Sequence, residues 1–176
     1  MTDSISTKPH TFALPSGETA TVDAADRDLV EAAGPWYALR DPRATYVKAD
    51  RRRLDGSRTG VLLHRLLLDP PDVMQIDHVN RDGLDNRRAN LRVCTRSQNL
   101  ANSPPRAGGS SQFKGVYWNK NATKWHARGH DGTGKGLHLG YFANEVDAAR
   151  AYDVHAMATW GEFALLNADH FDNGDI

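Results

Sequence analysis

An α+β architecture is predicted for this 176-residue chain, and three patterns predict it. Short alternating runs separated by Gly, Pro and Asp fill the first sixty residues, as in a β-rich segment. Residues 75–102 then read as strand, long polar loop, strand and helix. Beyond Gln112 come three more short strands and one helix of small side chains, the pattern of a three-stranded antiparallel sheet packed on a helix.

Residues 12–14 and 19–22 flank Pro15-Ser16-Gly17 and read as a hairpin. Residues 25–33 form a short helix stopped by Gly34, with Pro35 beyond. Strands over 36–39 and 45–49 are expected across a turn at Asp41-Pro42. Arg51-Arg52-Arg53 leads into a turn at Asp55-Gly56, and 61–68 reads as a helix ending at Asp69-Pro70-Pro71. Strands follow at 75–78 and 91–94, joined by a polar loop ending near Asn90. Thr95 with Gln98 is a capping box that starts a helix at Arg96 and places Asn99 in its first turn.

Residues 103–111 (Ser-Pro-Pro-Arg-Ala-Gly-Gly-Ser-Ser) have linker composition. Strands are expected at 115–118, 125–130 and 137–142, with a helix N-capped by Asn144, carrying Asp147 in its first turn and ended by Gly161. The division predicted is therefore a β-rich segment over 1–60, a unit over 61–102, a linker over 103–111, a sheet module over 112–168 and a tail over 169–176. The helix of the sheet module is rich in alanine. It can lie close to the sheet and leave the sheet's other face open.

No apolar run reaches the ~20 residues of a membrane span, and residues 1–9 lack a secretory pattern. The single cysteine, Cys94, excludes an internal disulfide and suits a reducing compartment, so a cytosolic protein is expected. The zero net charge conceals segregation. Residues 1–39 carry two basic and six acidic side chains, 40–128 carry eighteen and eight, and 129–176 carry two and eight. Positive charge gathered in this way builds a footprint for a polyanion.

Asp77-His78-Val79-Asn80 lies inside the basic stretch, with Asn90 twelve positions beyond His78 and Asn99 nine beyond Asn90. Single Asp and Asn residues in such a loop, including Asn80, Asp82, Asp85 and Asn86, are turn formers first. Turn chemistry does not call for Asp77 beside His78 on a strand. The imidazole of His78 is suited to accept a proton from water near neutral pH. Asp77 and Asn99 offer hard oxygens to one Mg2+ or Mn2+ ion, and Asn90 is placed to hydrogen-bond across the loop and fix His78. Arg81, Arg87, Arg88 and Arg92 are expected to hold the DNA backbone nearby. One cysteine with scattered histidines makes no zinc set.

Asp77-His78-x-Asn80, Asp85-Asn86-Arg87-x-x-Asn90-Leu91-Arg92 and Asn99, led in by Leu63-His64-Arg65-Leu66-Leu67, resemble the HNH endonuclease motif over 61–102. The closer likeness is to the homing-type branch of phage and mobile-element nucleases, in which asparagine stands for the final histidine. That resemblance implies a ββα-metal (His-Me finger) unit. It also implies that His78 is the general base, that Asp77 and Asn99 are metal ligands, and that Asn90 orders the loop. Hydrolysis would leave 5′-phosphate and 3′-hydroxyl ends.

Residues 111–168 contain Phe113-Lys114-Gly115-Val116-Tyr117-Trp118, Lys124-Trp125-His126-Ala127-Arg128, Leu139-Gly140-Tyr141-Phe142 and Ala148-Ala149-x-Ala151-Tyr152-Asp153. They are similar to the ethylene-response-factor DNA-binding domain, which presents its sheet to the major groove. Alternation puts Lys124, His126 and Arg128 on one face and Trp125 and Ala127 on the other. Lys114, Tyr117, Trp118, Lys120, Lys124, His126, Arg128 and His138 are the expected DNA-binding set. Tyr117 stands where the plant pattern has arginine, and the third strand is poor in arginine, so plant-type sequence preference does not carry over.

The expected function is metal-dependent endonucleolytic cutting of double-stranded DNA by a protein acting as a monomer, with no small-molecule cofactor and no membrane. The competing reading is a non-catalytic DNA-binding regulator that keeps the HNH unit as scaffold. An RNA-directed module is a third, disfavoured because A-form RNA hides its major groove.

Overall fold

Hydrogen bonding in the opening hairpin is set by Gly17, whose φ of +98° lets its amide reach Leu14 O at 2.9 Å. A computed structural model describes residues 8–42, 44–52 and 55–168. The expected tail (169–176), the first seven residues, Arg43, and Arg53 with Leu54 lie outside the described residues. The chain is a mixed α/β protein of small antiparallel sheets and few helices, dividing into two compact units at the Thr95–Arg96 junction. The second unit thus begins ahead of the stretch with linker composition.

In the first unit, β1 (His10–Ala13) and β2 (Thr19–Val22) pair, and α1 (Arg27–Ala33) follows a 3-10 turn. The indole N–H of Trp36 donates to Val30 O at 2.8 Å in the core and fixes the chain leaving α1. β3 (Tyr37–Asp41), β4 (Ala44–Arg52) and β5 (Arg58–Leu62) form an antiparallel meander, and α2 (Leu63–Leu68) follows directly. The helix expected over 61–68 is therefore shorter, and Val61 and Leu62 are strand residues. Cross-strand pairing of Val61 with Ala49 and Leu62 with Lys48 outweighs the apolar run's helical reading. β6 (Gln75–His78) and β7 (Leu91–Cys94) pair with His78 opposite Leu91 and Asp77 opposite Arg92. Leu14, Val22, Val30, Trp36, Val47, Leu63, Ile76 and Leu91 share one core. The loop between β6 and β7 is fastened to β2: Thr21 N–H donates to Leu84 O at 2.9 Å and Asn86 N–H to Thr21 O at 2.7 Å.

The second unit opens with α3 (Arg96–Ala101) and contains the sheet β8 (Val116–Asn119), β9 (Lys124–His130) and β10 (Gly136–Phe142), ordered β10-β9-β8. α4 (Glu145–Trp160) starts at the Asn144 cap, whose side chain accepts from Val146 N–H at 2.7 Å. Ala148, Ala149, Tyr152 and Ala156 are its buried residues. The close approach is real: a Cβ on Gly115 would sit 2.0 Å from the Tyr152 ring, and one on Gly129 2.2 Å from the His155 ring. Phe113, Val116 and Ala127 complete this core.

Candidate functional site

β6 is sheltered at its end, so Asp77 and His78 are each only 5% exposed. Asp77 does not face solvent as a bare carboxylate. Its Oδ2 accepts from Arg92 Nη2 at 2.6 Å and Nε at 2.8 Å, across the register that opposes the two residues. The side chain facing His78 is Asn86, fully buried, with Oδ1 3.4 Å from His78 Nε2. Asn86 Nδ2 donates to Gly83 O at 3.1 Å, which turns Oδ1 toward the imidazole. Gly83 itself has no room for a side chain, since a Cβ there would stand 2.4 Å from Thr45 O.

Asn90 does the ordering of the loop. Its Nδ2 donates to Asp85 O at 2.7 Å and Asn80 Oδ1 at 2.9 Å, its Oδ1 accepts from Asn80 N–H at 2.9 Å, and its carbonyl accepts from Val79 N–H at 2.9 Å. Asn80 Nδ2 in turn donates to Asp85 Oδ2 at 2.9 Å. The contact that sequence reasoning assigned to Asn90 at His78 belongs instead to Asn86. Asn86 looked like a turn former, and only its complete burial separates it from one.

Two rings back the imidazole. His64, buried on α2, packs edge-on at 5.1 Å between centroids and 80°, and Tyr46 lies 5.9 Å from His78 and 5.8 Å from His64. Burial, with His78 and Arg65 nearby, holds His64 down at about 3, so it is neutral. Burial also lowers His78, opposed by the Asn86 hydrogen bond and neighbouring carboxylates, so His78 is neutral near pH 7. Burial pushes the Cys94 thiol up to about 11, which makes it a poor nucleophile. Among the described residues no three His, Cys, Asp or Glu side chains gather as a metal cage. Asp77 belongs to the first unit and Asn99 to the second.

Three of the four arginines expected on the DNA backbone have internal carboxylate partners. Arg87 binds Asp85 at 2.6 and 2.8 Å, Arg88 binds Asp26 at 2.8 and 2.9 Å, and Arg92 binds Asp77. Arg81 is exposed, at φ +65°, and makes no ion pair with a described residue.

On the sheet of the second unit, the face away from α4 carries Tyr117, His126 and Tyr141 in one cross-strand row and Arg128 and His138 in the next. His126 is on the expected face but only 9% exposed, covered by rings 4.6 to 4.8 Å away on Tyr117, His138 and Tyr141. Its Nε2 lies 2.6 Å from His138 Nδ1, and its own Nδ1 is buried without a partner. Lys120, Lys124, Arg128 and His138 are exposed as expected. Two residues of that set are engaged elsewhere in the fold. Trp118 pairs with Trp125 and lies on the α4 side of the sheet, ring against ring at 5.2 Å. Lys114 gives its ammonium to Leu100 O, Ala101 O and Ser103 O at 3.1, 2.5 and 2.6 Å, which uses three donors on the end of α3.

The family model for HNH endonuclease matches residues 70–101. An AP2-like ethylene-responsive transcription factor of Arabidopsis thaliana is 32% identical over 95 residues, which cover 43% of this chain and 20% of that protein. The chain thus spans about a fifth of the length of that relative. No solved structure matches the chain. The HNH match points to nuclease or DNA-binding function, and it falls on the segment that carries Asp77, His78, Asn90 and Asn99.

Proposed function

We propose that this protein is a metal-dependent endonuclease of the homing type that hydrolyses phosphodiester bonds in double-stranded DNA. The observation that carries the reading is the buried, neutral His78, oriented by Asn86 beside the carboxylate of Asp77. Because Asn86 presents an oxygen to Nε2, the tautomer with Nε2–H is favoured and Nδ1 becomes the basic nitrogen. In the proposed step the oxygen of a water attacks phosphorus, its proton passes to His78 Nδ1, and the 3′-oxygen leaves with the bonding pair and takes a proton from solvent. Asn90 keeps the 79–90 loop closed around that base. Asp77 and Asn99 are hard oxygen donors suited to Mg2+ or Mn2+, and two protein ligands suffice for such an ion. A bound ion of this kind supplies neutralisation of phosphate and leaving-group charge. HNH nucleases are generally divalent-metal dependent.

The outer sheet face of the second unit, with Lys124, Arg128 and His138, is the proposed positioning surface on duplex DNA for a monomeric enzyme. One observation favours the second reading, a DNA-binding regulator: Arg92 already holds Oδ2 of Asp77. Purified protein with Mg2+ should nick or linearise DNA, and His78→Ala should bind equally while its cutting rate falls ~10²–10⁴-fold. Tight binding without cutting by the wild type, across divalent metals and varied DNA, would select the regulator.

A further inference from the structure

The β4–β5 ribbon carries charge that neither unit's candidate site uses. Between residues 48 and 58 it holds five basic and two acidic side chains. Lys48 is paired with Asp50 at 3.2 Å, and Arg58 also lies close enough to Asp50 to lower its pKa. Arg51 and Arg52 make no ion pair with any described residue, and all three arginines are exposed. Arg52 stands directly opposite Arg58, and Arg51 opposite Thr59. Like charges in opposed positions destabilise a two-stranded ribbon, and the carboxylate near Arg58, Asp50, is already shared with Lys48.

The ribbon's two faces explain where the charge goes. Val47, Ala49 and Val61 lie on the face toward the core, and Val47 and Ala49 are buried. Arg51 is the next residue on that same face, where the core has ended. Arg52 and Arg58 share the other face with Asp50 and Gly60. The guanidinium groups therefore sit on both faces of an antiparallel ribbon that has run past its own core.

We infer that this ribbon is a DNA-backbone contact of its own, in which Arg51, Arg52 and Arg58 bind phosphates of duplex DNA. The inference rests on the DNA reading above and deepens it by assigning a substrate-binding element to the first unit. A two-stranded antiparallel ribbon fits the major groove of B-DNA, whereas the deep, narrow groove of A-form RNA does not admit it. Phosphates on both walls would then meet arginines on both faces and relieve the Arg52–Arg58 repulsion.

The test uses the full chain in EDTA, so that binding is read without cutting. Affinity for a fluorescent mixed-sequence DNA duplex is measured across a salt series for wild type, for Arg51, Arg52 and Arg58 all changed to Gln, and for the same three changed to Lys. The slope of log affinity on log salt should shrink by about 2–3 in the Gln variant, near 0.9 per lost phosphate contact. The Lys variant should keep the slope. Arg27→Gln, at an exposed arginine paired with Glu31 on α1, should also leave it unchanged. An unchanged slope in the Gln variant overturns the inference. So does a loss seen on an RNA duplex of the same sequence but absent on DNA. If wild type binds and never cuts while the Gln variant still loses slope, the nuclease reading fails and the ribbon contact stands.

Discussion

At the scale of single residues, the site depends on polar groups placed where water cannot compete. Asn86 has both ends of its amide engaged, one by a carbonyl and one by His78. That arrangement selects a tautomer, which an exposed asparagine would not do. His64 supplies the opposite kind of support. It is a ring with a buried Nδ1 that has no hydrogen-bond partner, so its contribution to His78 is shape and dryness. This burial has a pH consequence. His64 is held near 3 in the folded chain, against about 6.5 when unfolded. A depressed folded value means that the unfolded state takes up the proton first. The associated stability is complete above about pH 6.5 and is lost as pH falls toward 3. Urea unfolding at pH 7 and pH 5 should show wild type losing about 2 kcal/mol more than His64→Phe over that interval. Equal losses in the two proteins would mean that His64 is not buried neutral.

At the scale of elements, the loop from Val79 to Asn90 is held by its own polar side chains and by neighbouring elements. Asn90 and Asn80 lace it internally, β2 pins its middle, and Arg88 ties its end to Asp26, which is 6% exposed. Arg88 also receives a backbone tie, its N–H donating to Asp23 at 2.8 Å. Arg88→Met leaves Asp26 without its cation in a nearly dry place. Because Arg88 itself is half exposed, the expected cost is about 1–2 kcal/mol, below that of a fully buried pair. Chemical unfolding measures it, and the salt dependence of DNA binding should stay at the wild-type slope. A flattened slope with unchanged stability would return Arg88 to the DNA contacts. Apart from β5, the strands, the polar loop and the helix cap at Asn144 were legible because each is written locally, in alternation, turn residues or a single side chain. Partner choice was not legible. Arg87, Arg88 and Arg92 read as cations for phosphate, and the carboxylates that engage them include Asp26, 62 positions away. Trp118 read as a DNA contact because alternation alone does not say on which face of the sheet the helix lies. The split of 61–68 into strand and helix was hidden because an all-apolar run has no period to read.

Across the whole chain, the charge segregation in the sequence becomes two different things. Within the first unit, acidic residues of the N-terminal stretch are used against the basic stretch: Glu18 meets Arg40, and Asp26 meets Arg88. The basic side chains that make no ion pair among the described residues of that unit are Lys8, Arg51, Arg52, Arg58 and Arg81. Within the second unit, the cation nearest the sheet's start is spent on structure. Lys114 bonds the last carbonyls of α3, Leu165 N–H donates to Ala101 O at 3.0 Å, and Asn167 brackets Lys114 by its N–H and carbonyl while accepting nothing from α3. α3 is therefore built into the sheet module, although the intervening residues 103–111 have the composition of a linker. A fragment starting at Arg96 keeps these acceptors, and a fragment starting at Gln112 loses them. Losing the acceptors of Lys114 and Leu165 costs about 1–2 kcal/mol net, because water replaces part of each bond. For a module of this size that corresponds to a melting temperature lower by roughly 5–10 °C in the shorter fragment. Thermal unfolding of the two fragments by circular dichroism decides it. Equal melting temperatures would place the true boundary after Ser111 and reduce α3 to an appendage. A lower value for the shorter fragment would make α3 a structural member of the sheet module.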